Sequence, residues 1–560
     1  MVLFPKKLSS FEVFKKTRKE FVKLDLKDFD IDTVPVVYIQ RDKKNLYVGK
    51  STDIYGRFSA HLKDESKTFT EIIIIKSELF NESSIKHIET LLIDYLLADD
   101  KFNLKNKIKG QNIHTYNGIE DVNNMFVKIW DELIKEGIAN EQLKEIHNKF
   151  IYKYSPFKEL SDNQIEVCQN ILKAMLTTSN SQHLVTGDPG TGKTIVLTNI
   201  VYALIYDQET GKDREGIDRE QIALVIPQNH SLSSYKDLIR KVGLHGITVL
   251  SPSQFIKEAN VKEDKFRYVF VDEAHRLKQY FGKQARDLKH LITEDGHTTE
   301  LELISEYAYH LTVVYDPYQT IRPADIDTAH FKKITADYNG HVLHKQFRLK
   351  SGQQYLAWLR KYLEIANNVG VYEKGLLKGY DFKVMDSISD LYTAIQNLNK
   401  KYELCRVVAG YSWEWATQKK ENSYDITDAV TGDGFKWNSK TKGWINQKNS
   451  VEEIGCIHTI QGADLNYVGV IFGEEIDCDY DGEVDGSYDL TKANIIINPD
   501  KYKDRNGLPI KGTDLNNDEL KSYIKRIYYV LLSRGINGCY VYATNSSMQR
   551  YLKEVVEISK

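Results

Sequence analysis

The segment that most constrains this chain runs from His183 to Leu204, HLVTGDPGTGKTIVLTNIVYAL. A short β-prone run passes through a glycine loop directly into an apolar helix. Gly187, Gly190 and Gly192 carry no Cβ, so successive backbone N–H groups can turn toward one anion at a helix N-terminus, where the dipole favours negative charge. Lys193 then supplies a cation for terminal phosphate oxygens, and Thr194 a hydroxyl for Mg²⁺. A strand that feeds a helix in this way belongs to a parallel sheet covered by helices. An all-α or all-β fold is thereby excluded for this part of the chain.

Such a loop needs carboxylates for the metal and the attacking water. Tyr268-Val-Phe-Val-Asp272-Glu273-Ala274-His275 reads as a buried strand ending in two of them. Asp272 is placed to hold Mg²⁺ and Glu273 to polarise the water. Around them, short apolar runs alternate with helical stretches from about 156 to the end: HLVTG, IALVIP, YVFVD and LTVVYD, then RVVAGYS, VGVIFG and CYVYAT. Runs that are apolar on both faces suit parallel strands between helix layers, and the number of runs predicts two sheets. Residues 413–455 interrupt the alternation with a polar stretch carrying Trp413, Trp415, Trp437 and Trp444, expected to form a hairpin insertion.

Composition narrows the class. At 560 residues, 41% hydrophobic and 28% charged, the chain can bury several cores, which excludes disorder as its main state. The net charge of −3 offers no global attraction for nucleic acid, so any such surface is a local patch. Cys168, Cys405, Cys456, Cys478 and Cys539 form no CxxC pair, which argues against zinc and disulfide frameworks. MVLFPKKLSS lacks the apolar region of a signal peptide, and aliphatic runs such as Ile72 to Ile75 are far too short for a membrane span. The expectation is a cytoplasmic protein with no membrane partner.

Taken in order, these motifs resemble a superfamily-1 helicase motor over about 156–560. In LSDNQ, Gln164 stands where such motors read adenine. LTVVYDPYQTI resembles the third motif, with Asp316 and Gln319 sensing the γ-phosphate, and KQFRL the fourth, with Arg348 as one γ-phosphate cation. IHTIQGADLNYVGVIFG resembles the fifth, bringing Gln461 and Gly462 toward nucleotide and strand; YYVLLSRG resembles the sixth, giving Arg534 as the arginine finger of a second RecA-like lobe. Two cations must meet the transition-state charge, and closure of two lobes supplies them. DPYQTIRP, QFRL and LLSRG further resemble the ATPase family shared by bacterial proteins of unassigned role and the C-terminal motor of long Schlafen proteins. That resemblance leaves translocation or switching open beside true unwinding.

The N-terminal region reads separately. VPVVYI, a polar turn at Arg41 to Asn45 and LYVG make a hairpin; a helix at about 53–63, the strand EIIIIK and a helix at about 83–97 follow. Tyr38 and Tyr47 in the paired strands, with Val48-Gly49, resemble the GIY-YIG nuclease fold over roughly 34–110, although Val36 stands in place of the first glycine. Glu89 lies inside the apolar stripe Ile85, Ile88, Leu92, Tyr95 and Leu96. An unpaired carboxylate there costs several kcal/mol, so it should meet a metal or Arg57. The resemblance implies that Tyr38 or Tyr47 deprotonates the attacking water, or relays its proton, and that Glu89 binds one Mg²⁺ or Mn²⁺. It further implies that Arg57 stabilises the pentacovalent phosphate, with His61 and Asn103 supporting.

The expected fold is therefore α/β: a helical extension at 1–33, a small α+β GIY-YIG domain at 34–118, a helical connector at 119–155, and RecA-like lobes at 156–340 and 341–560. The expected function is an ATP-dependent nuclease–helicase on nucleic acid, DNA favoured over RNA, in a setting such as defence against foreign DNA. Two alternatives stand beside it: a remodeller whose GIY-YIG domain is an inactive binding module, and an RNA-directed nuclease with a nucleotide switch. The tryptophans of the insertion are read as a satellite core in preference to a base-stacking surface. Glu474–Asp489 is read as a solvated acidic loop, since it lacks EF-hand spacing.

Overall fold

The computed structural model describes residues 11–17, 35–54, 69–106, 116–228, 231–262, 265–279, 299–322, 324–350, 352–365, 375–418, 423–439, 444–460, 462–479, 483–484, 487–488, 493–498, 501 and 517–560. Arg57, His61, Gln461, most of the helix expected at 53–63 and part of the acidic loop lie outside the described residues. Two compact units are present. One comprises residues 1–177, 194–222 and 233–248, the other 178–193, 223–232 and 249–560. Among the described residues no helix is long and apolar enough to cross a membrane. All five cysteines are free and buried.

In the first unit, a five-stranded sheet runs in the order β1-β4-β2-β3-β5, from β1 (Phe11–Thr17), β2 (Val36–Arg41), β3 (Asn45–Ser51), β4 (Glu71–Ser77) and β5 (Asn103–Leu104). The β2–β3 hairpin closes because Asp42 Oδ1 accepts the N–H groups of Lys44 and Asn45, each at 2.6 Å, an aspartate turn that fixes the register Tyr38↔Gly49. The expected N-terminal helical extension is corrected here. Residues 11–17 form an edge strand antiparallel to β4, from Phe11↔Ser77 to Thr17↔Glu71. FEVFKKT starts with a period of two, Phe11 and Val13 half-buried and Glu12 exposed. That pattern suits a sheet edge, and its charges discourage pairing with another chain.

Helix α1 (Glu82–Asp99) starts at a capping box, with Ser84 N–H donating to Asn81 Oδ1 (2.9 Å) and Asn81 N–H to Ser84 Oγ (2.7 Å). It packs on the connector rather than trailing from it. Tyr95 lies 5.1 Å from Phe126 and 5.5 Å from Trp130 of α2 (Ile119–Lys135) by ring centroids. The Asp99 carboxylate accepts from Asn140 N–H (2.9 Å) and Glu141 N–H (2.8 Å). Helices α3 (Asp162–Thr177), α4 (Lys193–Ile205) and α5 (Leu232–Lys241) follow, most of their residues belonging to this unit.

The second unit carries the two sheets expected from the alternation. The first has the order β11-β6-β10-β9-β7-β8, built of β6 (Ser181–Gly187), β7 (Ile222–Val225), β8 (Thr248–Leu250), β9 (Phe266–Val271), β10 (Ala308–Tyr315) and β11 (Asn339–Leu343). Strands β6, β9, β10 and β11 are mutually parallel where they pair. Because β11 continues to Leu343, the first sheet ends after residue 340, not at it. After helix α6 (Gly352–Tyr362), the second sheet takes β12 (Asp381–Val384), β13 (Cys405–Ala409), β14 (Ile454–Cys456), β15 (Leu465–Phe472) and β16 (Gly535–Ala543) in the all-parallel order β12-β16-β15-β13-β14. Helix α7 (Asn517–Leu532) precedes β16.

The insertion holds a small hairpin, Ile426–Thr427 against Gly434–Phe435; Trp415, Trp437 and Trp444 are core, and Trp413 is half-buried against them. Trp437 and Trp444 are each 1% exposed, and Trp415 Nε1 donates to Trp437 O at 2.6 Å. Their rings are thus turned inward, away from any bound base.

Candidate functional site

The phosphate loop runs from Gly187, the last residue of β6, to Lys193 at the start of α4. Gly190 adopts φ +84°, and a Cβ there would lie 2.7 Å from Arg348 Cβ, so neither the backbone angle nor the space admits a side chain. Gly192 turns the chain into the helix. Lys193 is 9% exposed, and its Nζ donates to Gly187 O (2.7 Å), Asp188 O (3.1 Å) and Asp316 Oδ2 (3.1 Å), folded back onto the loop it would serve.

Two adjacent carboxylates follow β9. Asp272 is wholly buried and accepts from Glu273 N–H at 2.9 Å. Glu273 sits at φ +52°, a strained angle for a side-chain-bearing residue. Burial raises its carboxyl pKa, but His275, whose Nε2 is 2.9 Å away, with Lys193 and Arg534, outweighs this and holds it down at about 2. Glu273 is therefore ionised at neutral pH and able to polarise water.

From Lys193 a polar chain crosses to the second lobe. Asp316 Oδ2 also accepts from Gln319 Nε2 (2.8 Å), and Gln319 Oε1 accepts from Arg534 Nη2 (2.9 Å). Arg534 is 2% exposed. Arg348 is held by Asp464 Oδ1 (2.8 Å) and Ser533 O (3.2 Å), and Phe347 N–H donates to Gly190 O (2.9 Å). Gly462 adopts φ +80°, and a Cβ there would sit 2.9 Å from Gln228 Oε1. A glycine cradle, a buried lysine, two carboxylates and two arginines fit a nucleoside triphosphate with Mg²⁺. Thr194 and Gln164 belong to the first unit. Thr194 is buried in α4, and Gln164 Oε1 accepts from Ser161 N–H (2.9 Å) at the start of α3.

In the nuclease sheet, Tyr38 is fully buried and lies over Gly49, where a Cβ would meet Tyr38 Cζ and Oη at 2.5 Å. This glycine is required by the close approach of the tyrosine ring. Tyr47 is half-exposed, with ring centroids 6.4 Å apart. Glu89, inside its apolar stripe, meets Lys50 Nζ at 2.5 Å, so a lysine supplies the cation the stripe demands.

Asn103 is exposed on β5 opposite Asn45, at the turn end of β3. It is displaced from Lys50 by five residues, roughly 16 Å along a strand. Asn106 instead grips Val48, its Nδ2 donating to Val48 O (2.8 Å) and its Oδ1 accepting from Val48 N–H (3.0 Å). The contacts of Lys50 with Glu89 and of Asn106 with Val48 are not foreseen from the sequence. The run FNLKN offers two asparagines, and strand pairing alone decides between them. Among the described residues no group of three or more His, Cys, Asp or Glu is placed to hold a metal. A hard divalent ion that keeps water and phosphate as its other ligands fits Glu89 as a single protein ligand.

Residues 180–545 match the family described as Schlafen group 3, DNA/RNA helicase domain, and residues 34–103 match the GIY-YIG catalytic domain. A Saccharomyces cerevisiae relative, Uncharacterized protein YPL245W, is 26% identical over 402 residues, covering 66% of this chain and 83% of its own. Among solved structures, S. cerevisiae Dbp5 bound to Nup159, Gle1, IP6 and ADP is 11% identical with a TM-score of 0.31, over 74% of this chain and 92% of its own. The arterivirus nonstructural protein 10 helicase with DNA is 12% identical with a TM-score of 0.29, over 66% and 62%. Likeness at that level carries no functional argument.

Proposed function

Since this chain belongs to the Schlafen group 3 DNA/RNA helicase family and carries a GIY-YIG catalytic domain ahead of the motor, we propose that it is an ATP-dependent nuclease–helicase whose motor gates or feeds cleavage of nucleic acid. The observation that carries this reading is the polar chain Lys193–Asp316–Gln319–Arg534, which joins the phosphate loop of one lobe to an arginine of the other.

In the motor, the backbone N–H groups of the loop and Lys193 would receive the β- and γ-phosphates, and Asp272 would hold Mg²⁺, which would neutralise phosphate charge. Ionised Glu273 orients the water. Nucleotide draws Lys193 off Asp316, and Gln319 relays that change to Arg534, which with Arg348 meets the charge developing on the transferred phosphoryl group. Lobe movement and hydrolysis are coupled through these contacts.

In the nuclease, Tyr38 or Tyr47, as the phenolate, takes the proton of the water that attacks phosphorus, or as the phenol passes its own proton on as it receives that of the water, and Arg57 stabilises the pentacovalent phosphate. Glu89 would hold a Mg²⁺ or Mn²⁺ ion, which would polarise the phosphate oxygens, while Lys50 fixes Glu89 and Asn106 locks the strand that bears Tyr47. Tethering keeps the cutter near the strand the motor holds, at roughly millimolar effective concentration. We place this activity in the cytoplasm, on DNA in preference to RNA, in the destruction of foreign nucleic acid.

The test is cleavage of plasmid, single-stranded DNA and RNA with Mg²⁺ or Mn²⁺, with and without ATP, by wild type, Glu89→Ala and Lys193→Ala. Loss of cutting in Glu89→Ala, and loss of its ATP dependence alone in Lys193→Ala, is the expected pattern. Cleavage that survives Glu89→Ala overturns the nuclease assignment.

A further inference from the structure

The phosphate loop carries a charge at odds with its ligand. Asp188 stands between Gly187 and Pro189, on the segment whose backbone receives an anion. An uncompensated carboxylate there repels nucleotide phosphates. The second lobe compensates it. Arg360 Nη1 donates to Asp188 Oδ1 at 2.8 Å and to Tyr529 Oη at 3.3 Å, and its guanidinium lies 5.2 Å over the Tyr318 ring. The ion pair is well shielded, with the side chains 18% and 20% exposed.

Arg360 is held from behind by the second-lobe core, because Tyr355, Trp358, Leu359 and Tyr362 of α6 are all buried there. Its other two partners come from the catalytic machinery. Tyr318 lies between Asp316 and Gln319, and Tyr529 is five residues before Arg534. Arg360 thus touches the phosphate loop, the γ-phosphate sensor loop and the helix leading to the arginine finger, yet belongs to none of the sequence motifs.

We propose that Arg360 is a positioning residue for ATP turnover that acts through Asp188. With the lobes together it neutralises the loop aspartate, and the loop accepts triphosphate. When the lobes part, Asp188 is uncovered, the loop turns repulsive, and nucleotide leaves. Nucleotide affinity is thereby made conditional on the second lobe by a charge pair outside the bound phosphates. This deepens the ATPase reading above and rests on it.

The test is ATP binding by calorimetry on the full chain, comparing wild type, Lys193→Ala, Arg360→Ala, Arg360→Lys, Asp188→Asn and the double variant Asp188→Asn/Arg360→Ala. Wild-type binding that is lost in Lys193→Ala establishes the loop as the ATP site independently of Arg360. Arg360→Ala is then expected to weaken binding roughly tenfold, Arg360→Lys to stay near wild type, and the double variant to bind within about twofold of Asp188→Asn. Restoration by removing a carboxylate is an outcome that loss of helix packing would not produce. Unchanged binding in Arg360→Ala, or a double variant as weak as Arg360→Ala alone, overturns the proposal.

Discussion

Replacing Gly49 by alanine puts a methyl group where the Tyr38 ring lies. The added carbon would sit 2.5 Å from Cζ and Oη and 2.9 Å from Cε2, whereas carbon atoms rest at about 3.5–4.0 Å. Ring or strand must therefore yield by roughly 1 Å. Tyr38 has no solvent side to move toward: it is 0% exposed, and its strand is paired with β3 on one flank and β4 on the other. Overpacking of this kind costs about 1–3 kcal/mol, and displacement of a reacting group by about 1 Å costs on the order of 100-fold in rate. The assay is the initial rate of phosphodiester cleavage by the full chain, with ATP hydrolysis measured on the same preparation. Cleavage should fall about 100-fold while ATP turnover stays at the wild-type level. Wild-type cleavage by Gly49→Ala would refute the placing of a reacting hydroxyl on Tyr38. Tyr38→Phe, which keeps the ring and removes only the oxygen, then identifies Tyr47 as the base if it too cuts normally.

Arg534→Ala should lower kcat for ATP by about 10³-fold or more with little change in KM, as loss of an arginine finger does; a change confined to KM sinks that role. Trp437→Ala should cost about 3–5 kcal/mol in urea unfolding and leave single-strand affinity unchanged well below the melting temperature, because the ring is 1% exposed. Loss of affinity without loss of stability would return the tryptophans to base stacking. Glu475 is 1% exposed; burial raises its carboxyl from 4.5 to about 7 against hydrogen bonds from Tyr528 and the Tyr411 N–H. The fold thus prefers the protonated acid, and stability is lost as pH rises from 4.5 through 7, by about 3 kcal/mol for a shift of that size. Glu475→Gln, which keeps the neutral shape and an amide to donate to Ser412, should escape this loss. Its stability relative to wild type, read from tryptophan fluorescence in urea at pH 5 and pH 8, should rise by about that amount. Parallel curves would disprove the shift.

Legibility in the sequence followed how local the cause was. The phosphate loop and the strand ending at Asp272 and Glu273 are each written in a few consecutive residues, and each takes the expected form. The buried tryptophans also agree with their reading as core. The first strand was misjudged because FEVFKKT is short and its period of two competes with a helical reading until β4 provides a partner edge. The contact that Asn106 makes with Val48 was not legible either, since FNLKN holds two asparagines and only the pairing of β5 with β3 brings the second of them there.

By itself, then, the sequence determined the chemistry on offer: which loop receives phosphate, which carboxylates follow it, and that Glu89, inside an apolar stripe, must find a cation. Which cation it meets was decided only by the tertiary structure, which folds Lys50 onto Glu89 across 39 residues. The same holds for Lys193 and Asp316, for Arg534 and Gln319, and for Arg360 and Asp188, separated by 123, 215 and 172 residues. Backbone hydrogen bonding and side-chain periodicity act over a few residues and leave their mark on neighbours in sequence. Ion pairing and side-chain hydrogen bonding depend on distance in space, which is set only when the sheets and the helices around them have packed.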